Sequence, residues 1–393
     1  MSDREELIER VLGRGDRDDD AAHARVLADL AQEQEDKPVL AAALDRAFGL
    51  APHDEQLRRL RAQVLNELSI EEHGLVFRYV PGGTFLMGST EADVDERPVH
   101  AVRVPAFWIT DVPVSWADYC RLMGWEAPPD GSPPVREEHP DEFFAHRIRL
   151  QYCETGTEEA RDWHAHAGGM ESLFGRVPRN TDAPNEYGSK PMIAVGWETA
   201  SLLGSRLSNE KVQYGLPTEA EWERAARGGR IGARYAWGDE PPDSTRCDCA
   251  RFGRFALLPS RALPPNDFGL FSMCGGVSEW TFDRYDALAY HPSRPTPSFP
   301  AEAPYVLRGG SFTDDVEAVT VSFRMSLTSR RGAASPTVGF RLVRRAPPDP
   351  LLAWSPPRAE EPRVVRTSPP AAAPVAAPAP APKKTWWQRL LGR

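Results

Sequence analysis

Cysteine is scarce in this 393-residue sequence: there are five, at positions 120, 153, 247, 249 and 274, and none beyond Cys274. So few thiols at irregular spacing do not make a disulfide framework, and free thiols in a reducing cytoplasm are expected. No apolar run approaches the roughly 18 residues that a membrane-spanning helix needs. The first thirty residues are too charged to read as a secretory leader. Excess positive charge is missing as well. With 47 Lys and Arg against 57 Asp and Glu the net charge is −10, which argues against a nucleic-acid partner, since that needs a basic face. What remains is 41% apolar content and 11 tryptophans, enough for one large core with accessory segments.

The clearest local signal is GLPTEAEWERAARGG, Gly215 to Gly229. Thr218 followed by Glu221 is a capping box, in which side chain and backbone bond reciprocally at a helix start. Acidic residues in the first turn and arginines in the last suit the helix dipole, and Gly228-Gly229 stops the helix. Trp222, Ala225 and Ala226 share one face, which is expected to be buried.

Ahead of this helix the chain changes character several times. Residues 1–70 carry four apolar stripes at helical spacing: Leu7 to Leu12, Val26 to Leu30, Val39 to Ala47, and Leu57, Leu60, Val64 and Leu65. The last two resemble a tetratricopeptide unit, which reads either as a short docking cap or as a helical extension packed on the main domain. Residues 75–120 switch to a period of two, with Val76, Tyr79, Phe85 and Met87 and later Val102, Val104, Phe107 and Ile109, so strands are expected, then a helix capped by Ser115. Residues 126–190 are rich in proline, glycine and charge and read mainly as loop, with a helix near 158–166. Their candidate chemistry is His139, His146, His164 and His166, although paired histidines two apart on a helix point away from each other. Cys247 and Cys249 form a lone C-x-C, short of the four ligands that a tetrahedral metal wants.

Eight blocks in order carry a resemblance. VPGGTFLMGS (80–89), ERPVHAVRVPAFWITDVPVSWADYC (96–120), PMIAVGWETASLLGSRLS (191–208), the capped helix, YAWGDEPPD, LPPNDFGLFSMCGGVSEW (263–280), LRGGSF (307–312) and GFRLVRR (339–345) together resemble the formylglycine-generating, or sulfatase-modifying, enzyme family. The resemblance covers residues 75–346 and implies an α+β, C-type-lectin-like fold.

What it implies about chemistry is mixed. In the family two cysteines follow G-G-S by three and eight residues and bind copper(I), which soft thiolates suit. Here Asp314 and Val319 stand at those offsets, or Thr320 with a one-residue shift, so copper is not expected. The family's N-x-x-G-N-x-x-E-W block implies a structural calcium; Ser272 replaces its asparagine, which leaves a degenerate site of Ser272, Gly275, Val277 and Glu279. At a second family calcium site Arg251 stands where an asparagine would sit.

The acidic loop after G-G-S and the arginines beyond it supply the ligand-binding candidates: Ser311, Asp314, Asp315, Glu317, Arg324 and Arg341, facing a basic or peptide ligand. Residues 347–382 are a Pro/Ala linker with no means of burying a core, expected to be extended or disordered. Residues 383–393 end it with Trp386, Trp387, Leu390 and Leu391 among basic residues, a tip suited to docking on a protein or to peripheral contact with a membrane surface. The expected function is therefore a non-catalytic ligand-binding or scaffold protein, with a protein or peptide partner engaged through the 311–324 face, the N-terminal helices or the tip. Two alternatives stay open: a metal-dependent, non-haem iron oxidase of another branch, and a true formylglycine-generating enzyme with relocated cysteines such as Cys274.

Overall fold

The computed structural model describes residues 36–154, 184–250, 257–292 and 298–345. It begins with two helices, α1 (Lys37–Leu50) and α2 (Glu55–Leu68). Each starts on an aspartate cap: Asp36 accepts from the Val39 N–H at 3.2 Å, and Asp54 from those of Gln56 and Leu57 at 3.1 and 3.0 Å. Helix α1 buries Val39, Leu40, Ala43, Leu44 and Ala47, as their spacing predicts. Helix α2 departs from its expected stripe. Leu57, Val64 and Leu65 are buried, but Leu60 is 37% exposed and Arg61 only 1%. Arg61 faces inward because its guanidinium finds partners there: Asp45 at 2.6 Å, the Gly228 carbonyl at 2.8 Å and the Asp267 carbonyl at 2.9 Å. It also lies over the rings of Phe48 and Phe268, 4.4 and 4.5 Å from their centroids. The two stripes expected before residue 36 lie outside the described residues.

Strands follow: β1 (Ile70–Glu72), β2 (Leu75–Val80), β3 (Gly83–Met87), β4 (His100–Val104) and β5 (Phe107–Thr110). Helix α3 (Trp116–Met123) is capped by Ser115 as expected. Where loop was expected, α4 (Pro140–Glu154) is a helix of 15 residues. It is tied to the body by Arg149, which donates to the Ile193 and Ala194 carbonyls at 2.8 and 2.9 Å and pairs with Glu142. The expected helix near 158–166, with His164 and His166, lies outside the described residues. Helices α5 (Pro184–Ser189) and α6 (Trp197–Leu207) lead to β6 (Gln213–Gly215) and α7 (Glu219–Ala226). After them come β7 (Ser278–Arg284), β8 (Tyr305–Arg308), β9 (Arg324–Leu327), a short helix α8 (Ser329–Gly332), β10 (Val338–Gly339) and β11 (Val343–Arg345).

The strands form a five-stranded sheet in the order β1-β2-β5-β11-β6, a four-stranded sheet β10-β7-β8-β9 and the hairpin β3-β4. Pairing is antiparallel except for β10 on β7. This mixed architecture of eight described helices and small sheets is the α+β class expected. Two cores fill it. One joins α1, α2 and α7 with Cys247, Met273, Val319 and Val321; the other surrounds Trp116, Trp280 and Phe340. No helix among the described residues is long and apolar enough to cross a membrane.

Candidate functional site

Helix α7 positions everything around it. Its capping box is formed on both sides: Thr218 Oγ1 accepts from Glu221 N–H at 3.2 Å, and Glu221 Oε2 accepts from Thr218 N–H at 2.7 Å. Trp222, Ala225 and Ala226 are fully buried. The polar side chains of the helix are buried too, because each acidic group meets an arginine. Glu223, 0% exposed, accepts from Arg227 Nη2 at 2.6 Å, from Gly88 N–H at 2.8 Å and from Arg308. Arg308 also donates to the carbonyls of Val321, Ser322 and Phe323. Burial by itself raises the Glu223 carboxyl, but Arg227 and Arg308 outweigh it and hold the group below the usual carboxylate range. Glu219 pairs with Arg324 Nε at 2.6 Å and Nη2 at 3.1 Å.

The G-G-S turn sits against this lattice. Gly309 has φ +92° and Gly310 φ +65°; a Cβ on Gly309 would lie 3.0 Å from the Trp222 ring, and one on Gly310 2.4 Å from the Ala318 carbonyl. Beyond the turn, Asp314 folds back on it. Its Oδ2 accepts from Ser311 N–H at 2.9 Å and Ser311 Oγ–H at 2.7 Å, and its own carbonyl accepts from Ala250 N–H at 2.9 Å. Burial pushes the Asp314 carboxyl up despite both bonds from Ser311. Val319 is 0% exposed and belongs to the core, and Thr320 accepts from Phe323 N–H at 3.2 Å. The two offsets expected to matter thus hold a turn-closing aspartate and a core valine.

The candidate ligand residues separate into two groups. Asp315 and Glu317 are exposed on the loop. Ser311, Arg324 and Arg341 are not ligand-facing: Ser311 is 0% exposed, Arg324 is locked to Glu219, and Arg341 is 0% exposed. Sequence alone pointed to neither arginine being interior, because their acidic partners lie far away along the chain. It also missed an aromatic pair beside the loop. Tyr235 and Trp237 stack with centroids 5.0 Å apart and planes 4° from parallel, and Arg234 lies over Tyr235. Glu317 is near enough to add to the rise that burial gives the Tyr235 hydroxyl. The available signal was Tyr235-Ala236-Trp237-Gly238, a tight turn closed by mutual Tyr235 and Gly238 backbone bonds.

The degenerate calcium set does not fit that ion. Both Glu279 oxygens are already occupied by Arg341, at 2.6 and 2.7 Å, and Oε2 also accepts from Trp222 Nε1 at 2.8 Å. An arginine neutralises the carboxylate that a calcium would require. Ser272 Oγ donates to the Ser260 carbonyl, Gly275 donates its N–H to Gly309, and Val277 is buried. Arg251 lies outside the described residues, as do Trp386, Trp387, Leu390 and Leu391. The thiols are no better placed for chemistry. Cys120, Cys247, Cys249 and Cys274 are buried and form no disulfide; burial pushes Cys274 up to about 12 and Cys120 to about 11, and a bond with Cys249 together with burial raises Cys247 further. His139 is exposed and His146 packs edge-on against Trp116, 5.8 Å between centroids.

The inner faces of α1 and α2 are committed as well. Asp45 bridges Arg61 at 2.6 Å and Arg224 of α7 at 2.8 Å, so these helices pack on the body and their apolar stripes are not offered to a partner.

The sulfatase-modifying factor enzyme 1-like domain model matches residues 70–346. A formylglycine-generating enzyme of Mycobacterium tuberculosis is 33% identical over 225 residues, covering 51% of this chain and 72% of that protein. A mouse (Mus musculus) protein named inactive C-alpha-formylglycine-generating enzyme 2 is 30% identical over 290 residues, covering 68% and 85%. The serine/threonine-protein kinase Pkn1 of Chlamydia trachomatis is 28% identical over 270 residues; that stretch is 68% of this chain but spans 38% of the kinase's own length.

Proposed function

Because the chain belongs to the sulfatase-modifying factor enzyme 1-like family over residues 70–346, we propose that it is a non-catalytic member that binds a peptide or protein ligand at the loop after G-G-S. The observation that carries this reading is the fate of Asp314 and Val319. The first closes the turn through Ser311 and the second fills the core. Neither offers a soft ligand, and copper(I) thiolate chemistry needs two. The cysteines whose side chains are described, Cys120, Cys247, Cys249 and Cys274, are buried, with thiols that resist ionisation where a shift is resolved. A relative named inactive, matching most of its own length, supports the same reading.

The proposed contact surface is the exposed pair Asp315 and Glu317, backed by the buried Tyr235 and the half-buried Trp237 that stacks on it. Acidic side chains favour a basic ligand, and the stack holds the surface beneath them rigid. The tip residues Trp386, Trp387, Leu390 and Leu391 are proposed as a second, tethered contact, on a protein partner or a membrane surface. Free cysteines suit a reducing setting, and we infer a cytoplasmic one.

The test has two arms. Purified protein, with and without copper, is incubated with a Cys-x-Pro-x-Arg peptide and followed by mass spectrometry; no conversion of the cysteine to formylglycine is expected, and conversion would refute the non-catalytic reading. Binding to a library of basic peptides is then compared between the protein and an Asp315→Lys/Glu317→Lys variant. Selective loss in the variant supports the face, whereas equal binding by both would remove it.

A further inference from the structure

The loop between β3 and β4 holds a group of oxygens that the reading above does not use. Asp93, Asp95 and Glu96 each bring one carboxylate oxygen within 4.8 Å of the other two. Asp93 is exposed, Asp95 half-buried and Glu96 buried. An acidic cluster on a surface loop has no need of an ion when water can reach it. Glu96 is different. Its side chain is 2% exposed, and its Oε2 atom is buried with no hydrogen-bond partner. A hydrogen bond from Ser322 reaches this carboxylate, yet one oxygen is left unsatisfied. A buried carboxyl oxygen without a partner is costly, so an additional partner is called for.

We propose that Asp93, Asp95 and Glu96 form a binding site for a hard divalent cation of calcium size. Two oxygens bound to one calcium at roughly 2.3–2.6 Å can stand no more than about 5 Å apart, whereas magnesium's shorter bonds, about 2.0–2.1 Å, allow only about 4 Å. The three oxygens lie within the larger ion's limit, and an all-carboxylate set completed by waters suits calcium's flexible shell. One buried, one half-buried and one exposed carboxylate would hold the cation at the protein surface, with waters completing the shell. The neighbouring charges are compatible with this. Tyr285 O–H donates to Asp95 Oδ2 at 2.8 Å, which leaves Oδ1 for the ion. Arg324 approaches Asp95 Oδ2 at 3.8 Å and donates to the Asp95 carbonyl, but its charge is already balanced by Glu219. Arg308, which shares Glu223 with Arg227, adds positive charge near Glu96 and favours its ionised form, the form a cation binds. Glu96 is anchored from behind: its carbonyl accepts from Ser89 N–H at 3.0 Å, and its N–H donates to the Asp93 carbonyl at 3.1 Å. Backbone bonds therefore fix the main chain at Asp93 and Glu96 before any ion arrives.

Terbium(III) is the first probe, since it takes calcium's oxygen sites and its emission is excited through a nearby tyrosine; Tyr285 is bonded to Asp95. The full chain, stripped with chelator, is expected to give saturable emission at one equivalent of terbium that calcium displaces, and its Tm is expected to rise with added calcium chloride. Asp93→Asn and Glu96→Gln should each weaken calcium binding by about tenfold or more, through loss of ligand charge. Asp93 is exposed, so Asp93→Asn should match the parent's Tm in chelator, which keeps the test valid even if Glu96→Gln folds poorly. No saturable emission, no calcium-dependent rise in Tm, or emission and affinity unchanged by Asp93→Asn would each overturn the proposal.

Discussion

The interior around α7 and the loop after G-G-S are both rich in charge, and they treat it in opposite ways. Inside, the carboxylates of Glu219 and Glu223 serve three arginines, Arg227, Arg308 and Arg324, which also donate to backbone carbonyls. Outside, Asp315 and Glu317 face water. A buried charge is held only by its partners, and removing one partner leaves the other stranded in a low-dielectric surrounding. An exposed charge costs little to keep or lose and is screened by salt. The contrast teaches where this protein is rigid and where it has freedom to vary: the lattice fixes the shape, and the loop is available for recognition.

The largest break should come from Glu223→Ala. It strands Arg227 and Arg308, and a loss of about 3–5 kcal/mol is expected by chemical denaturation; an unchanged midpoint would show that the lattice is not the scaffold it resembles. Trp222→Ala removes a fully buried ring and the bond to Glu279, with an expected cost of about 3–5 kcal/mol. Acid sharpens the contrast. The folded Glu223 carboxyl titrates below its ordinary range, so the unfolded chain binds its proton first as pH falls. Its stabilisation is in place above the usual glutamate range and is lost as pH drops through the folded value. A plot of Tm against pH for Glu223→Gln should therefore be flatter on the acid side than the parent's. Asp314→Ala should cost about 1–3 kcal/mol through the two unsatisfied Ser311 donors. Smallest of all, Asp315→Ala/Glu317→Ala should shift stability by no more than about 0.5 kcal/mol while weakening capture of basic peptides at low salt.

Helix α7 was fully legible in sequence, because capping chemistry and apolar spacing are local and both are written within a few residues of Thr218. Strands β2 to β5 and the helices α1 and α3 were legible for the same reason, whereas β1 and β6 to β11 were not read as strands. Arg61, Arg324 and Arg341 were not. A helical wheel puts Leu60 on the apolar stripe and has no means of knowing that Arg61 will meet carbonyls at 228 and 267. Arg324 and Arg341 were read as part of a polar face, and the glutamates that take them inside lie 105 and 62 residues away. Helix α4 was obscured by the proline and charge around it. The Tyr235–Trp237 stack was hidden because its importance comes from the loop it lies beside.

Asp45 carries one more consequence. It lies outside the 70–346 stretch that the family model matches, yet it holds Arg224 of α7 and, with Arg61, touches the residues that end that helix. The homology border is therefore not a folding border. A fragment started at residue 70 would leave an uncompensated guanidinium and the bare imprint of Phe48, and it should precipitate or melt early. In hydrogen exchange, amides of α1 and α7 should open together as one cooperative unit. Any search for relatives that share this protein's mechanics should ask for that aspartate ahead of the domain.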